Sequence, residues 1–478
     1  MIGSGFGGLT AAALAARTAL RVSVFERHVR PGGCAGDFAL DGYWFPAGAT
    51  VVTGLEEGGI LRRVFDTAGI VVDARELDPS IVFHVGGKQV PYLRSPEAWR
   101  SVFRTAFPTA PDGYDRFWKW SRATGGAVYG IGAALPSLPI ERWPDLRRTA
   151  RAARPGALRT LPLLGRTIGQ VKQKLGAVGH PGADALIDSL LLDATGARAA
   201  ECSAIQGAIA LDLYRRGCQW VEGGTGKLAM LLVRATRIHG GEVHFGAGVS
   251  ALDRAPGGWD VVLDDGRRIR ARRVVANVPP GSLRGLRGMP VTRPADDQGW
   301  GAFVLHAGID GSGLDGLDPF HQVILPEAGG ELEEGASSLV SIYPGRGARS
   351  GQWSVSVSTH TRTGGWGADS GARRSRLEAQ LRRAAAEVIP GFADRCRVVR
   401  SATPATFERY TGRPGGFVGG LAQRPGNTAL LAPGHRPERH LYLAGDHVFP
   451  GPGTVGTALS GINAYRDVAE SLRRRPLL

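Results

Sequence analysis

The residues whose spacing points to chemistry stand at the start of the chain, where Gly3, Gly5 and Gly8 form the pattern G-x-G-x-x-G. In a dinucleotide-binding turn the first glycine permits the turn, the second lets a pyrophosphate approach, and the third lets a helix pack closely. The start of that helix offers unpaired N–H groups and a partial positive charge to phosphates. Glu26 stands where a carboxylate accepts hydrogen bonds from ribose hydroxyls. The pattern therefore predicts a dinucleotide site.

A strand, a helix and a second strand must position these residues. Residues 9–18 are rich in alanine and indicate a helix, and residues 20–25 indicate a buried strand that ends at Glu26. The acid follows the glycines at the distance of about 20 residues that is typical of a βαβ nucleotide site. Only two residues precede Gly3, whereas strands usually have about five or six. We therefore hypothesise that the natural start lies upstream, which the intact mass of the native protein would test.

Another glycine-rich segment follows the acid. Gly32 and Gly33 place bare backbone beside the same nucleotide, and Asp41 with Gly42 predicts a hairpin turn between two short strands. The alternative is a plain glycine-rich surface loop, which we consider the weaker interpretation.

These segments resemble the flavin-dependent phytoene desaturase and carotenoid isomerase group within the amine-oxidase-like flavoproteins. Residues 26–33 are similar to the second FAD motif of that group. Residues 41–49 are similar to its D-G-(aromatic)-x-F-D-x-G segment, except that Pro46 replaces the second acid. Residues 441–458 resemble its third FAD motif, and the resemblance extends over essentially the whole chain.

The closing helix supports the choice of FAD as the cofactor. A helical pattern runs from about residue 455 to residue 473, after a strand that leads into Gly445 and Asp446. In the resembled group the start of this helix lies against the flavin. Reduced flavin carries negative charge near N1 and C2=O, which a helix N-terminus stabilises. A dehydrogenase that uses only NAD has no need of this element.

The motifs and the resemblance together imply a set of cofactor-binding residues. Val249 belongs to it because its equivalent contacts the adenine through the backbone, and Asp446 because its equivalent lies beside the ribityl–phosphate region. The set is Gly3, Ser4, Gly5, Phe6, Gly7, Gly8, Glu26, Arg27, Gly32, Gly33, Cys34, Val249, Gly445, Asp446, Thr454 and Val455. Gly48, Ala49 and Tyr410 are candidates for positions that face flavin or substrate. No acid–base pair suggests a catalytic dyad, and no spacing suggests a metal site.

The predicted fold class is α/β with an α+β substrate part. A Rossmann-like FAD-binding domain is expected to be discontinuous, in residues 1–80, 215–290 and 425–478. Residues 81–214 and 291–424 are expected to form a substrate-binding domain with a mixed or antiparallel sheet and helices. Alternating apolar runs between residues 300 and 360 predict its strands, and a helix is predicted over residues 373–388. Residues 249–277 predict a β-meander.

Composition limits the classes of partner. The chain has 478 residues and a formal charge of +15, and only five of its 58 basic residues are lysine. This charge reflects either genome composition or attraction to anionic lipid; no nucleic-acid-binding module is recognisable. Four dispersed cysteines suggest a reducing cytoplasm, and no apolar run is long enough for a spanning helix.

One segment has the composition of a membrane-facing surface. Residues 141–175 contain nine arginines and lysines, interleaved with Trp143 and several leucines. This mixture suits a helical segment that lies in a bilayer interface, and a solvated arginine-rich surface is the equal alternative. We therefore expect a cytoplasmic protein, alone or bound peripherally to the inner face of the cell membrane.

The resemblance implies an FAD-dependent oxidoreductase that introduces a C=C bond into a carotenoid or similar long polyene, with hydride transfer to flavin N5. Residues 55–60 and 407–416 are most similar to the C-3′,4′ carotenoid desaturase branch. Phytoene desaturation and cis–trans isomerisation of a carotene are the alternatives. Two further alternatives are less favoured, a flavin amine oxidase and a non-catalytic prenyl-lipid-binding protein. An aromatic cage beside the flavin would indicate the amine oxidase. An apolar tunnel is expected, and the electron acceptor, quinone or oxygen, is left open.

Overall fold

The computed structural model of the chain describes residues 1–153, 155–295, 300–314, 316–317, 320–326, 332–347, 350–428 and 431–478. Helices and strands alternate irregularly along it. The helices are α1 Phe6–Arg17, α2 Ile60–Thr67, α3 Pro96–Ala106, α4 Gly113–Ala133, α5 Trp143–Ala152, α6 Ile168–Leu175, α7 Pro181–Thr195, α8 Ala204–Arg216, α9 Gly224–Ile238, α10 Pro280–Leu286, α11 Gly371–Val388, α12 Phe392–Arg395, α13 Pro404–Thr411 and α14 Gly453–Ser471.

The strands form one small parallel sheet, one large mixed sheet and several short ribbons. The strands are β1 Ser23–Glu26, β2 Asp37–Leu40, β3 Tyr43–Pro46, β4 Val52–Thr53, β5 Arg75–Leu77, β6 Ile81–Val85, β7 Lys88–Tyr92, β8 Cys218–Trp220, β9 Glu242–Phe245, β10 Val249–Ala255, β11 Gly258–Leu263, β12 Arg268–Ala271, β13 Val274–Ala276, β14 Gly301–Asp310, β15 His321–Ile324, β16 Ser338–Tyr343, β17 Gln352–Thr361, β18 Cys396–Ala402 and β19 Leu441–Leu443.

The parallel sheet is held together at its centre by Ile2. Strand β1 pairs with β9 and β13 pairs with β19, and Ile2 forms parallel bridges to Phe25 on one side and Ala276 on the other. Helix α1 packs against α14 on this sheet, and its alanines are almost fully buried. Small side chains bring the helix axes close to the sheet, so the alanine-rich helix predicted from the sequence is confirmed.

The predicted β-meander is confirmed, with one difference in its last strand. Strands β10, β11 and β12 form an antiparallel ribbon, but the chain after β12 turns away and continues as β13 in the parallel sheet. Burial explains the break. Side chains alternate between exposed and half-buried in β12, whereas Val274, Val275 and Ala276 are all buried, as in a strand covered on both faces.

The large sheet has the strand order β18-β14-β17-β16-β15-β6-β7. Its pairs are antiparallel except that β15 lies parallel to β6. One face packs on α11, where Val340 and Val355 meet Leu377 and Leu381 in one apolar cluster. The strand and helix predictions for this region are confirmed, because the alternation of apolar side chains places one face against the helix.

A layer of helices covers much of the rest of this sheet. Trp99, Phe117 and Trp118 are almost fully buried in one apolar cluster with α7 and α8. Within the described ranges, no helix combines the length and the apolar character that crossing a bilayer requires.

Candidate functional site

The site begins at the glycine turn before α1. Gly3 has a φ of +83°, in the left-handed region that favours glycine. A Cβ atom on Gly5 would lie 2.2 Å from Asn277 Oδ1, and one on Gly8 would lie 2.8 Å from the carbonyl oxygen of Gly3. No side chain caps α1, and its first turn holds no acidic residue. The N–H groups at the start of α1 are therefore available to an anion, as the phosphates of a dinucleotide require.

Glu26 lies beside this turn at the end of β1. Its carboxylate accepts hydrogen bonds from Ser4 N at 2.8 Å and Ser4 Oγ at 2.7 Å, and from His28 N at 2.8 Å. The carbonyl oxygen of Glu26 accepts from Ala247 N at 2.9 Å, which brings the loop before Val249 to the same edge. The structure thus brings together the predicted ribose acceptor and the predicted adenine contact.

The second glycine segment lies directly over the turn. Gly32 N donates to the carbonyl oxygen of Ser4 at 2.9 Å, and a Cβ atom on Gly33 would lie 3.7 Å from Gly5 Cα. Cys34 O in turn accepts from Ala49 N at 2.8 Å. The chain from Gly32 to Ala49 therefore runs along the predicted cofactor site, as expected.

The closing segment completes the site from the other side. Gly445 N donates to Ser460 Oγ at 2.8 Å, and a Cβ atom on Gly7 would lie 3.0 Å from Gly445 N. Helix α14 begins without a side-chain cap and without an acid in its first turn. Val455 lies in that turn and packs against Gly54. A Cβ atom on Gly54 would lie 2.4 Å from Val455 Cγ2. Two uncapped helix starts, those of α1 and α14, thus border one site.

Arg413 is a member of the site that the sequence reasoning missed. Its guanidinium forms an ion pair with Asp446, with Nη1 2.9 Å from Oδ2 and Nη2 3.0 Å from Oδ1. Burial alone would raise the pKa of Asp446, but the Arg413 guanidinium brings it below its usual range. Burial also raises the pKa of the Cys34 thiol, which contacts the same guanidinium. The segment 407–416 was recognised in the sequence, but nothing in it singled out this arginine.

Two other sequence-predicted residues lie at the rim. Arg27 Nη2 donates to Arg409 O at 2.5 Å, so Arg27 fixes the segment that carries Arg413. Tyr410 is 54% exposed and packs edge-on against His28, with ring centroids 6.1 Å apart. Phe407, on the same helix as Tyr410, approaches Gly48, where an added Cβ atom would lie 3.6 Å from its ring.

An aromatic cluster borders the candidate flavin position near Ala49. Trp220 stacks on Phe320 with ring centroids 4.3 Å apart and lies 5.2 Å from the ring of Tyr343. Tyr343 Oη donates to Thr50 O at 3.2 Å. Because the rings touch one another, they leave no gap in which a flat ligand would lie between two aromatic faces.

A cleft of about 800 Å³ lies elsewhere. It opens between α3, α4, the end of α8 and residues 56–58, and arginines and glutamates are prominent in its lining. A charged cleft of this kind differs from the apolar tunnel that the sequence predicted. Within the described residues, no cluster of His, Cys, Asp or Glu has the arrangement of a metal site.

Comparison with known proteins identifies the family. The family model described as "Flavin containing amine oxidoreductase" matches residues 6–469. The chain is 25% identical to the chloroplastic prolycopene isomerase of Daucus carota, over 100% of this chain and 81% of that protein. It is 27% identical to the lycopene-forming phytoene desaturase of Pantoea ananas over 58% of this chain and 54% of that protein. It is 28% identical to the human all-trans-retinol 13,14-reductase over 51% of this chain and 40% of that protein.

Solved structures show the same fold. A putrescine oxidase bound to putrescine superposes with a TM-score of 0.63 at 17% identity, covering 99% of this chain and 98% of that one. Cyclohexylamine oxidase from Brevibacterium oxydans superposes with a TM-score of 0.62 at 15% identity, with the same coverage. At these identities the likeness establishes the fold alone.

Proposed function

We propose, for a chain that belongs to the flavin-containing amine oxidoreductase family and uses FAD, that it introduces a C=C bond into a carotenoid or similar long polyene. The nearest activity is that of a C-3′,4′ carotenoid desaturase. One observation carries the polyene class: prolycopene isomerases are among the relatives that align over the whole chain. The chain's own residues 55–60 and 407–416 carry the resemblance to the desaturase branch.

The residues at the site fit FAD. The cradle of Gly3, Gly5 and Gly8 admits a backbone-bound diphosphate that any side chain would exclude, and Glu26 supplies the acceptor for a ribose. The flavin supplies the hydride acceptor at N5. The uncapped start of α14 would stabilise negative charge on the reduced cofactor, because a helix N-terminus carries partial positive charge. The rings of the Trp220 cluster line the side of the site next to Thr50 with apolar surface.

Isomerisation of a carotene is the second candidate. The four prolycopene isomerase relatives align over 99–100% of this chain, whereas the phytoene desaturase aligns over about half of it. This difference in extent is the specific observation in favour of isomerisation. An amine oxidase activity is less favoured because the aromatic rings near Thr50 pack against one another. A non-catalytic prenyl-lipid-binding role is less favoured because such a protein needs no intact flavin cradle.

A pigment experiment separates these activities. The chain is expressed in a bacterial host that accumulates lycopene, and the mass and absorption of the extracted carotenoids are recorded. A red-shifted product lighter by two hydrogens supports desaturation. A product of unchanged mass with an altered spectrum supports isomerisation instead. Unchanged pigment from cells whose protein contains FAD would contradict both activities on lycopene.

We also propose the division of the chain into two domains. Residues 1–80, 215–290 and 425–478 would hold FAD, and residues 81–214 and 291–424 would hold the substrate. The parallel sheet, α1 and α14 lie in the first group, and the large mixed sheet lies mainly in the second, which supports this division.

We further propose that the surface formed by α5 and residues 155–166 binds a membrane. Its large apolar side chains point into solvent: Trp143 is 69% exposed, Leu158 70% and Leu161 56%. Exposed arginines lie among them, including Arg147 and Arg159. Exposed tryptophan and leucine beside arginine suit a surface that lies in the interface of an anionic bilayer.

Some basic side chains of residues 141–175 already pair with carboxylates of the protein, so fewer of them can bind anionic lipid. Arg142 and Arg148 are paired with Asp467 and Glu470 of α14, and Lys172 is buried beside Asp184. Arg154 lies outside the described residues.

Vesicle flotation tests this surface. The protein should float with anionic vesicles at low salt, and affinity should fall as salt screens the arginines. Trp143→Ala/Leu158→Ala should lose most of this binding, whereas Ile238→Ala, which removes an apolar side chain 59% exposed at the end of α9, should not. Equal flotation of both variants would contradict the assignment.

A further inference from the structure

The charged cleft between α3, α4, the end of α8 and residues 56–58 has no part in the proposed reaction. Its volume of about 800 Å³ is that of a small-molecule site. Among the described residues that line it, four are acidic and six are basic, and the basic ones are Arg94, Arg100, Lys119, Arg122, Arg215 and Arg216. A lining with this excess of cations favours a ligand that carries negative charge.

The acidic side chains leave part of this positive charge without a partner. Asp212 is buried and pairs with Arg215 and with Arg216, whose Nε lies 2.8 Å from Asp212 Oδ2. Two of the three glutamates in the lining are exposed, so solvent and salt screen their charge. Arg122 is exposed and forms no ion pair or hydrogen bond within the described ranges. Its guanidinium is therefore available to an anion.

Arg216 has spare donors beside Arg122. Its Nε approaches Asp212, and its guanidinium carbon lies 4.5 Å from the centre of the Tyr129 ring, so the group is held in place. In the part of the chain that the structure describes, Nη1 and Nη2 of Arg216 take part in no hydrogen bond. A Cβ atom on Gly126 would lie 3.1 Å from Arg216 Nη2, and Arg122 lines the cleft one helical turn before Gly126. Positions four apart in a helix are neighbours, so both arginines lie at the same part of the cleft.

Two buried tryptophans also lack acceptors. Trp99 and Trp118 line the cleft and are only 1% and 4% exposed, and the indole Nε1 of each has no hydrogen-bond partner among the described residues. Indole nitrogen is a donor only, and a buried donor without an acceptor costs free energy. These unpaired N–H groups are a second, independent indication that the cleft takes a ligand rich in acceptor oxygens.

One acceptor in the lining lacks a donor. Glu56 accepts a hydrogen bond from the Tyr129 hydroxyl through Oε1, whereas its Oε2 is buried and has no partner in the described ranges. Because Arg216 lies over the ring of the same tyrosine, Glu56 and Arg216 are close neighbours. A ligand in the cleft would therefore meet several cations and, beside them, one carboxylate oxygen that needs a donor.

The cleft borders the surface formed by α5 and residues 155–166. Ala123 of α4 lines the cleft, and Ala127, one turn further along the same helix, lies against residue 156 of that surface. A Cβ atom on Gly156 would lie 3.2 Å from Ala127 Cβ. The cleft is thus placed to receive either a lipid headgroup or a solute.

We propose that this cleft binds a phosphate ester with a neighbouring hydroxyl group, borne by a lipid headgroup or by a free solute. The phosphate oxygens accept from Arg122 and from the Nη groups of Arg216, since arginine and phosphate pair well in charge and geometry. A further oxygen accepts from the indole N–H of Trp99 or Trp118. The hydroxyl group donates to Glu56 Oε2. Binding here requires no polyene, so it is independent of the proposed reaction.

Calorimetric titration of the FAD-loaded chain tests the proposal, because FAD already fills the glycine cradle. The ligands are glycerol 3-phosphate, ethyl phosphate, and two short-chain lipids below their micelle concentrations, dihexanoyl phosphatidylglycerol and dihexanoyl phosphatidylcholine. We expect glycerol 3-phosphate or the phosphatidylglycerol to bind with a Kd below about 1 mM. Tighter binding of the phosphatidylglycerol identifies a lipid headgroup as the ligand, and tighter binding of glycerol 3-phosphate identifies a free solute. Dissociation constants above about 1 mM for both, or equal binding of the phosphatidylcholine, would overturn the proposal.

The hydroxyl group has its own test. Ethyl phosphate lacks it and should bind at least about threefold more weakly than glycerol 3-phosphate. Glu56→Ala should abolish this difference, because it removes the acceptor of the hydroxyl. Equal binding of the two esters to the unmodified chain would overturn the role of Glu56.

A pair of charge reversals locates the site. Arg122→Glu should weaken binding at least about tenfold, since it replaces a charge-assisted donor with a like charge. Arg383→Glu makes the same change at an exposed arginine of α11 that has no ion pair among the described residues, and should leave the Kd within about twofold. Unchanged binding in Arg122→Glu, or an equal loss in both variants, would overturn the assignment of the cleft.

Discussion

A buried ion network ties α5 and the loop before β19 to α14, and its removal makes a quantitative prediction. Asp467 is fully buried and accepts hydrogen bonds from His435 Nε2 at 2.8 Å and from the guanidinium groups of Arg436 and Arg142. Asp145, also fully buried, binds Arg436 at 2.8 Å. Asp467→Ala removes the shared partner of His435, Arg436 and Arg142, and Arg436 keeps only Asp145 and Glu141. Loss of one partner of a buried ion pair costs about 3–5 kcal/mol of unfolding free energy.

Urea unfolding at pH 7, followed by tryptophan fluorescence, measures this loss. Burial alone would raise the pKa of Asp467, but His435 and Arg436 hold it far below its usual range. The stabilisation is therefore present above the unfolded pKa of about 3.9 and is lost only as the pH falls through the lower folded value. Glu470→Gln, which removes a half-exposed carboxylate from the same helix, should cost less than about 1 kcal/mol. Equal losses in the two variants would refute the reasoning.

Three further predictions concern the cofactor site and a buried thiol. Gly8→Ala puts a carbon 2.8 Å from its neighbours and should abolish FAD binding, which the flavin-to-protein absorbance ratio measures. Gly130→Ala, at an open position in a helix, is the control and should retain FAD. Arg413→Gln leaves Asp446 buried without its bidentate partner and should lower the unfolding free energy by about 3 kcal/mol at pH 7. The loss should be smaller in strong acid, because the folded pKa of Asp446 is depressed and the ion pair is lost as the pH falls through it. An undiminished loss of unfolding free energy at low pH would contradict this. Burial raises the pKa of Cys202 to about 12, so iodoacetamide at pH 8 should label it only after unfolding, as mass spectrometry would show.

The elements of the cofactor site were predictable because short-range rules determine them. The spacing of Gly3, Gly5 and Gly8 reflects steric limits that act within one turn and one helix. The hairpin turn at Asp41 and Gly42 follows from the positive φ that both residues adopt there. The FAD prediction and the fold class, which depend on these local patterns and on the resemblance, are confirmed by the family match and by the solved structures.

Contacts between distant segments were not predictable from one sequence. Arg413 and Asp446 are 33 positions apart, and nothing in either segment shows that they meet. His435 lies in the loop before β19, and nothing in the sequence showed that it is buried against Asp467. Residues 274–276 leave the meander because they pair with β19 in the parallel sheet, and tertiary packing decides that pairing. Pairing of charges and strands over long separations carries little local signal.

The measurement that tests the central claim most directly is an anaerobic single turnover of the FAD-loaded chain. The protein is mixed with lycopene in detergent, the flavin absorption is followed, and the carotenoid is then extracted for mass analysis. The account predicts bleaching of the oxidised flavin in step with formation of a product lighter by two hydrogens, one product for each flavin reduced. A flavin that stays oxidised in the presence of the polyene but is bleached by a primary amine would contradict it.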